Sequence, residues 1–248
     1  MSTQRKHTTA ESAEQYFSAE PSSKDVRRTL HVTLRGYDAD VQVSNGVFSA
    51  SRVDLGTSVL LRQAPELPEE GTVLDLGCGW GPVTLAMAFE SPQAQVWAVD
   101  VNERTLELTC ANAKANGCDN VHVSQVDDQS VPLPAEAQPT FSTGNTGHAA
   151  SNTNTATTLT AESLPADLTF DAIWSNPPIR VGKETLHTLL MAWLPRLKVG
   201  GAAYLVVQKN LGSDSLIPWL DEALGDSFAV SKYASSKGFR IIEVLHNN

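Results

Sequence analysis

The chain has few cysteines, and it lacks long apolar runs. Cys78, Cys110 and Cys118 are too few for a disulfide framework, and no two of them form the CxxC pair of a metal site. No apolar run approaches the roughly 20 residues that a membrane helix needs. The stretch from Met1 to Ala10 is polar and lacks the apolar core of a signal peptide. We therefore expect a cytoplasmic protein with no membrane segment and no metal.

Positive charge is also scarce, because 18 lysines and arginines face 28 aspartates and glutamates. A net charge of −10 argues against a general nucleic-acid binder. The distribution is uneven, however, and residues 176–210 hold five basic residues against one glutamate. A basic edge of this kind can attract a polyanion locally, and a solvated helix face explains it equally well.

From residue 72 onward, short apolar strands alternate with amphipathic helices. This rhythm predicts a parallel sheet covered by helices, with a hairpin closing one edge. The predicted strands are 72–76, 95–100, 121–123, 170–174, 202–207, 228–233 and 239–245. The predicted helices are 82–90, 103–116 and 183–198, preceded by a short helix at 55–63 with Asp54 as its N-cap.

The length of 248 residues suits one α/β domain with short additions. We expect a polar tail at 1–28, a β-hairpin extension at 29–54 and the main domain at 55–248. Residues 134–167 interrupt that domain and are rich in Thr, Ser, Asn and Ala. We predict a disordered insertion there. It either acts as a lid or an RNA-contacting arm, or it has no function and is tolerated at the surface.

A glycine turn follows the first strand of the predicted sheet, in the segment from Asp75 to Gly81. Gly77, Gly79 and Gly81 permit a sharp turn and a close approach of backbone to a ligand. Their spacing is G-x-G-x-G, which differs from the dinucleotide fingerprint, and no phosphate-loop lysine follows. Asp75 suits a ligand that carries an ammonium group, although a structural corner is the alternative.

Further carboxylates follow the next two predicted strands, at Asp100 and at Asp127 or its neighbour Asp128. Ligands of open α/β sheets lie beyond the carboxyl ends of the strands, where a carboxylate can accept ribose hydroxyls. Asp127 could accept from an adenine amino group. Helix N-caps are the alternative explanation for each. The predicted cofactor site also includes two neighbours in sequence, Cys78 and Val101.

The segment Asn176-Pro177-Pro178 follows the fourth predicted strand. A residue that precedes proline avoids helical backbone angles, so Asn176 and Pro177 are expected to be extended. The Asn176 side-chain oxygen and the Pro177 carbonyl oxygen can then accept both hydrogens of an NH2 group. This arrangement indicates methyl transfer to an amine nitrogen, although a rigid loop would use the same residues.

These motifs occur in the order of a known family. They are Gly46-Val47-Phe48-Ser49, Asp54 with Gly56-Thr57, Asp75 to Gly81, Asp100, Asp127, and Asn176-Pro177-Pro178 with Gly182-Lys183. From Gly46 to Leu245 the chain resembles the small-domain methyltransferases related to ribosomal RNA small subunit methyltransferase C. The resemblance implies the class I methyltransferase fold, a Rossmann-like, doubly wound α/β sheet of seven strands with the last antiparallel.

The resemblance also implies S-adenosylmethionine as the cofactor, held by Asp75, Gly77, Gly79, Asp100 and Asp127. It implies that Asn176 and Pro177 grip the exocyclic N2 amine of a guanine, with ribosomal RNA or the small ribosomal subunit as the partner. The chain departs from the family at Ile179, where members acting on planar groups often carry an aromatic residue.

Substrate contacts are predicted at five positions, which are Pro178, Ile179, Arg180, Lys183 and Phe48. Phe48 or Trp80 could replace the missing aromatic residue, although both suit a core position. Arg27 and Arg28 are further candidates for RNA binding. The alternatives are a glutamine-N5 or small-molecule amine methyltransferase, an NAD-dependent oxidoreductase, and a non-catalytic module that only holds the cofactor.

Overall fold

The structure, a computed structural model, describes residues 24–45, 47, 49, 51–143, 157–178 and 182–247. It opens with an antiparallel hairpin of β1 (Arg27–Leu34) and β2 (Tyr37–Ser44). Arg35 and Gly36 form the two-residue turn with φ of 49° and 93°, as expected for a turn that matches the twist of a hairpin. The inner face of the hairpin is buried at Leu34 and along β2, so the hairpin packs against the main domain.

Seven strands form the main sheet. They are β3 (Glu70–Leu76), β4 (Gln93–Asp100), β5 (Val121–Gln125), β8 (Phe170–Ser175), β9 (Leu197–Gln208), β10 (Phe228–Ser236) and β11 (Phe239–His246). The order across the sheet is β10-β11-β9-β8-β3-β4-β5. Strand β11 runs in the direction opposite to that of the other six strands. The predicted seven-stranded sheet with an antiparallel last strand is confirmed.

Among the described residues, five helices cover the sheet: α1 (Leu55–Gln63), α2 (Pro82–Glu90), α3 (Glu103–Ala115), α4 (Lys183–Trp193) and α5 (Ser213–Leu224). Strand residues alternate between two apolar clusters, as a pleated sheet requires. One cluster joins the hairpin and α1 to α3 around Trp174, and the other joins α4 and α5 around Trp193.

The carboxyl ends of the parallel strands β3, β4, β5, β8 and β9 meet at one edge of the sheet, which we call the rim. Because β11 is antiparallel, its first residue, Phe239, pairs with Gln208 at the end of β9. The turn between β10 and β11 therefore lies at the rim together with the loops that follow β3 and β8.

Two expectations from the sequence need correction. The helix predicted at 183–198 ends at Trp193, because Pro195 lies in a short 3-10 turn (Leu194–Arg196) and β9 begins at Leu197.

The segment 134–167 is not disordered where the structure describes it. After a 3-10 turn (Ala135–Ala137), strands β6 (Thr140–Thr143) and β7 (Thr157–Thr160) pair antiparallel. Phe141 and Leu164 are each 3% exposed, so the two ends of the segment bury apolar side chains against the domain. Residues 144–156 lie outside the described residues, as does most of the predicted tail.

Candidate active site

Asp75 lies on β3 immediately before the glycine turn and is 1% exposed. Its Oδ2 accepts hydrogen bonds from the Thr84 amide at 2.9 Å and the Thr84 hydroxyl at 2.6 Å. Burial raises the pKa of Asp75 to about 7, against the opposing effect of the Thr84 bonds and with a contribution from the charge of Asp100. A cation beside this carboxyl group would favour its ionised form.

The glycine turn has the backbone that its sequence predicts. Gly77, Gly79 and Gly81 have φ of 81°, 58° and 91°, which L-residues rarely adopt. A Cβ added at Gly77 or Gly79 would meet no atom within 4 Å, so the backbone there borders open space. Helix α3 holds the turn, since the Thr109 hydroxyl donates to the Gly79 carbonyl at 2.8 Å and Asn112 Nδ2 donates to the Trp80 carbonyl at 2.9 Å.

Asp100 is the last residue of β4 and connects that strand to the glycine turn. Its Oδ2 accepts from the Gly79 amide at 3.1 Å and its Oδ1 from the Asn102 amide at 3.0 Å. Burial raises the pKa of Asp100, although the backbone donors oppose the shift. Val101 follows it and is half-buried. Asp127, beyond β5, uses its Oδ1 to accept from the amides of Gln129 and Val131, so it closes a local turn at the rim.

A single cleft brings the glycine turn and Asn176 together. Its lining residues are Ser49, Asp54, Thr57, Asp75, Gly77, Cys78, Gly79, Trp80, Pro82, Val83 and Asn176. Asp100 reaches this cleft through the amide of Gly79, whereas Asp127 does not line it. Residues of the glycine turn and Asn176 thus line one cleft.

The amide of Asn176 is held by the first turn of α1. Its Nδ2 donates to Asp54 Oδ2 at 3.1 Å and to Thr57 Oγ1 at 3.0 Å. Because a carboxylate can only accept hydrogen bonds, the nitrogen must face Asp54 and the amide oxygen must face away from it. Asn176 therefore keeps its oxygen, Oδ1, in a defined orientation.

The contacts of Asp54 and Thr57 with Asn176 are not predicted from the sequence. Asp54 was predicted as the N-cap of α1, and its Oδ1 does accept from the Gly56 amide at 2.8 Å. Its other oxygen holds Asn176, 122 residues away in sequence. The sequence signal for this contact is Asp54-x-Gly56-Thr57, which brings both acceptors of the Asn176 amide to the first turn of one helix.

The remaining predicted residues have different settings. Pro177 is buried, Pro178 is half-buried and Lys183 is exposed at the start of α4. Trp80 is 2% exposed and belongs to the core, although it also contributes to the lining of the cleft. Burial raises the pKa of the Cys78 thiol. The predicted substrate contacts Phe48, Ile179 and Arg180 lie outside the described residues.

The predicted role of Arg27 in RNA binding is not favoured by its contacts. Its guanidinium pairs with Asp25 at 2.9 Å and with Glu107 at 2.7 Å, on the side of the molecule where the hairpin meets α3.

In the described part of the chain, no helix is long and apolar enough to cross a membrane, and no three acidic, His or Cys side chains cluster as metal ligands would.

The model of one protein family, described as the methyltransferase small domain, matches residues 38–137 and 141–243. The chain belongs to the methyltransferase small domain family. This membership confirms the expected family, the class I fold and S-adenosylmethionine as the cofactor. The protein YbxB of Bacillus subtilis (strain 168) is 33% identical over 231 residues, which cover 93% of this chain and 98% of that one.

More distant similarities carry names that refer to RNA. Ribosomal RNA small subunit methyltransferase C of Shewanella amazonensis is 38% identical over 103 residues, which cover 40% of this chain and 29% of that protein. This chain therefore matches less than a third of that relative's length.

Among solved structures, the T. thermophilus 16S rRNA N2 G1207 methyltransferase in complex with AdoMet and guanosine superimposes with a TM-score of 0.62 at 22% identity. That similarity covers 92% of this chain and 52% of the other. M. jannaschii TYW2 in complex with AdoMet gives a TM-score of 0.51 at 17% identity, over 90% of this chain and 85% of that chain. At these identities the likeness concerns the fold.

The residues present fit the cofactor of this family. A buried carboxyl group stands beside the turn, and the open space at Gly77 and Gly79 lets a ligand approach the backbone closely. A pyrophosphate would be repelled by Asp75, whereas the ammonium group of S-adenosylmethionine would be attracted by it.

Proposed function

We propose that the chain methylates the exocyclic N2 amine of a guanine in ribosomal RNA, with S-adenosylmethionine as the donor. The observation that carries this proposal is the Asn176 amide, which Asp54 and Thr57 hold in the cleft of the glycine turn. An amide held by its nitrogen presents an acceptor oxygen, and an acceptor is what an NH2 group requires.

In this proposal the cofactor lies along the rim over the glycine turn. Asp75 attracts its ammonium group, and the backbone from Gly77 through Cys78 to Gly79 and Gly81 forms the floor. Asp100 and Val101 face the ribose, and Asp127 accepts from the adenine amino group through Oδ2, because Oδ1 already accepts two backbone amides. When bound, S-adenosylmethionine supplies an electrophilic methyl group on a sulfonium.

Asn176 and Pro177 act on the amine. The Asn176 Oδ1 and the Pro177 carbonyl oxygen accept its two N–H bonds, which directs the nitrogen lone pair toward the methyl group. The nitrogen would replace the sulfur as the partner of the methyl carbon, and the surplus proton of the acidic ammonium product would leave to water. Most of the acceleration comes from positioning, with help from acceptors placed where positive charge develops.

The choice of guanine in RNA is supported by the curated relatives named as ribosomal RNA small subunit methyltransferase C. It is also supported by the neighbouring structure that contains guanosine. A base can reach the cleft only if it is unpaired or turned out of its helix. We propose the small ribosomal subunit, or its RNA, as the partner, and the cytoplasm as the location.

The test uses small ribosomal subunits isolated from cells that lack this protein, incubated with the protein and methyl-labelled S-adenosylmethionine. We expect label in the RNA, at N2-methylguanosine after digestion to nucleosides.

Asn176→Ala should abolish transfer while the dissociation constant for S-adenosylmethionine stays within about twofold. Thr57→Val removes one acceptor of the Asn176 amide, and kcat should fall about tenfold. Asn116→Ala, at the opposite end of the sheet, serves as the control.

Two outcomes would contradict the proposal. Label found only in a protein or a small molecule would reject RNA as the substrate, and would favour a glutamine or small-molecule amine acceptor. Full activity of Asn176→Ala would reject the mechanism whatever the acceptor.

A further inference from the structure

An aromatic residue of the last strand lies beside the first turn of α1, close to Asn176. Phe239 opens β11 at the rim, and its Cε1 lies 3.1 Å from the position that a Cβ of Gly56 would occupy. Asn176 Oδ1 lies 3.1 Å from the same point. The ring edge and the acceptor oxygen are therefore separated by no more than twice that distance. An amine held by Asn176 would bring the attached planar group beside this ring.

The burial of Phe239 differs from that of its neighbours on the same strand. Ile241 and Ile242 are completely buried, whereas Phe239 is only partly buried at the margin of the core. Phe239 therefore packs on the core and keeps some exposure at the start of β11. Position 179, directly after the second proline, is isoleucine. Phe239 is thus an aromatic side chain close to the acceptor oxygen in a chain that has no aromatic residue at position 179.

Two lysines flank Phe239 at the same edge. The amide of Lys209, just after β9, donates to the carbonyl of Gly238 at 2.9 Å, which places Lys209 beside the β10–β11 turn. Lys237 lies in that turn, and both lysines are exposed. Within the described ranges, no ion pair joins either lysine to a carboxylate. In a chain with a net charge of −10, this is a local concentration of uncommitted positive charge.

We propose that Phe239 packs against the face of the target base, and that Lys209 and Lys237 bind the phosphates of the same unpaired RNA strand. The inference rests on the proposed function and names the surface that function would use. An aromatic face combined with neighbouring cations is the general means by which proteins hold single-stranded nucleic acid. The antiparallel direction of β11 is what brings these residues to the rim.

The first test changes the aromatic face and leaves the core contact. Phe239→Leu should raise the KM for the RNA substrate about 5- to 150-fold, as expected for the loss of one base-stacking contact. The dissociation constant for S-adenosylmethionine should not change. Phe239→Tyr restores an aromatic ring and should recover most of the affinity. Phe228→Leu is the matched control, because Phe228 is a partly buried phenylalanine at the far end of the same hairpin, opposite His246.

The second test removes charge and keeps side-chain length. Lys209→Gln and Lys237→Gln should each weaken binding of unmodified small-subunit RNA. Each should also reduce the slope of log affinity against log salt concentration by about 0.7. Lys114→Gln is the control, since Lys114 is exposed at the end of α3 on the opposite edge of the sheet.

The outcomes separate this inference from the proposed function. If the wild-type protein methylates RNA but Phe239→Leu behaves like Phe228→Leu, the inference is wrong and the proposed function stands. If the wild-type protein methylates no RNA, both are wrong. Should Phe239→Leu fail to fold, Phe239→Met and the salt slopes of the lysine variants decide. Unchanged KM and unchanged slopes would overturn the inference.

Discussion

At the scale of single residues, hydrogen-bond partners determine what each polar group in the cleft can do. Asn176 has an amide whose nitrogen is committed to Asp54 and Thr57, so its oxygen is the available atom. Asp75 differs from Asn176 because burial disfavours its ionised form. The hydrogen bonds from Thr84 offset only part of that effect. The carboxyl group therefore changes protonation near neutral pH, which makes it sensitive to a cation beside it.

This property of Asp75 leads to a prediction for stability in the absence of cofactor. The folded protein holds a proton on Asp75 up to about pH 7, whereas the unfolded chain releases it near the ordinary value of 3.8. Its contribution to the free energy of unfolding is therefore present at low pH and is lost as the pH rises from about 4 through 7. Urea denaturation at pH 5 and pH 7.5 should show a decline that Asp75→Asn reduces.

The same residue predicts the pH dependence of cofactor binding. If Asp75 attracts the ammonium group, the affinity for S-adenosylmethionine should rise between about pH 5.5 and pH 7, as the carboxyl group ionises. Calorimetry in two buffers of different ionisation enthalpy would detect the proton released. A flat profile in the wild-type protein would show that Asp75 does not interact with the bound cation.

At the scale of elements, the first turn of α1 positions Asn176 in the cleft. Its N-cap Asp54 satisfies the backbone amide of Gly56 and also holds Asn176. Gly56 lies in a helix, and its φ is not positive, so backbone conformation does not explain the glycine. The limited space around this position explains it, because a Cβ on residue 56 would lie 3.1 Å from each of three atoms, Asn176 Oδ1, Asp54 Oδ1 and Phe239 Cε1. The absence of a side chain keeps the acceptor oxygen accessible.

Gly56→Ala is therefore expected to separate folding from activity. Alanine favours a helix over glycine by about 1 kcal/mol, which offsets part of the local crowding, so the melting temperature should change little. Methyl transfer should fall at least about tenfold, because the methyl group displaces Asn176 or Phe239. Arg62→Ala, in the last turn of the same helix, should keep its activity. Full activity in Gly56→Ala would show that the space beside Gly56 is not used.

The sequence predicted these elements better than it predicted their roles. The periodicity and the N-cap at Asp54 placed α1 correctly at 55–63. Local patterns also located all seven strands of the main sheet, because each strand is a short apolar run bounded by turn residues. They failed at 183–198, where Pro195 stops the helix, and at the two described ends of 134–167, where Phe141 and Leu164 are buried against the domain.

At the scale of the whole molecule, the N-terminal hairpin is continuous with the core that supports the site. Arg35 lies in the turn of this hairpin. It donates to the carbonyl of Leu61 at 2.8 Å and to that of Ala64 at 3.0 Å, at the end of α1. The same guanidinium pairs with Glu90 at the end of α2 and lies 5.3 Å from the centre of the Trp174 ring. One side chain thus connects the hairpin, two helices and the strand that leads to Asn176.

Removing this connection should destabilise the entire domain. Arg35→Met keeps the apolar stem but leaves Glu90 and the carbonyls of α1 without their donor. We expect the free energy of unfolding to fall by about 2 to 3 kcal/mol. Arg52→Met, at an exposed arginine, should change it by less than about 0.5 kcal/mol. If Arg35→Met unfolds in the same denaturant range as the wild-type protein, the hairpin is not part of the cooperative unit.

The sequence by itself determined what is local: the glycine spacing of the first turn, the N-cap of α1 at Asp54, and the alternation that produces a parallel sheet. Only the tertiary structure decided which distant residues meet. The bond between Asn176 and Asp54 joins positions 122 residues apart, and Phe239 reaches the same space from the last strand. Such contacts depend on how α1 packs against β9 and β11. Sequence periodicity reports which face of a helix or strand is buried, but it does not say against which neighbour.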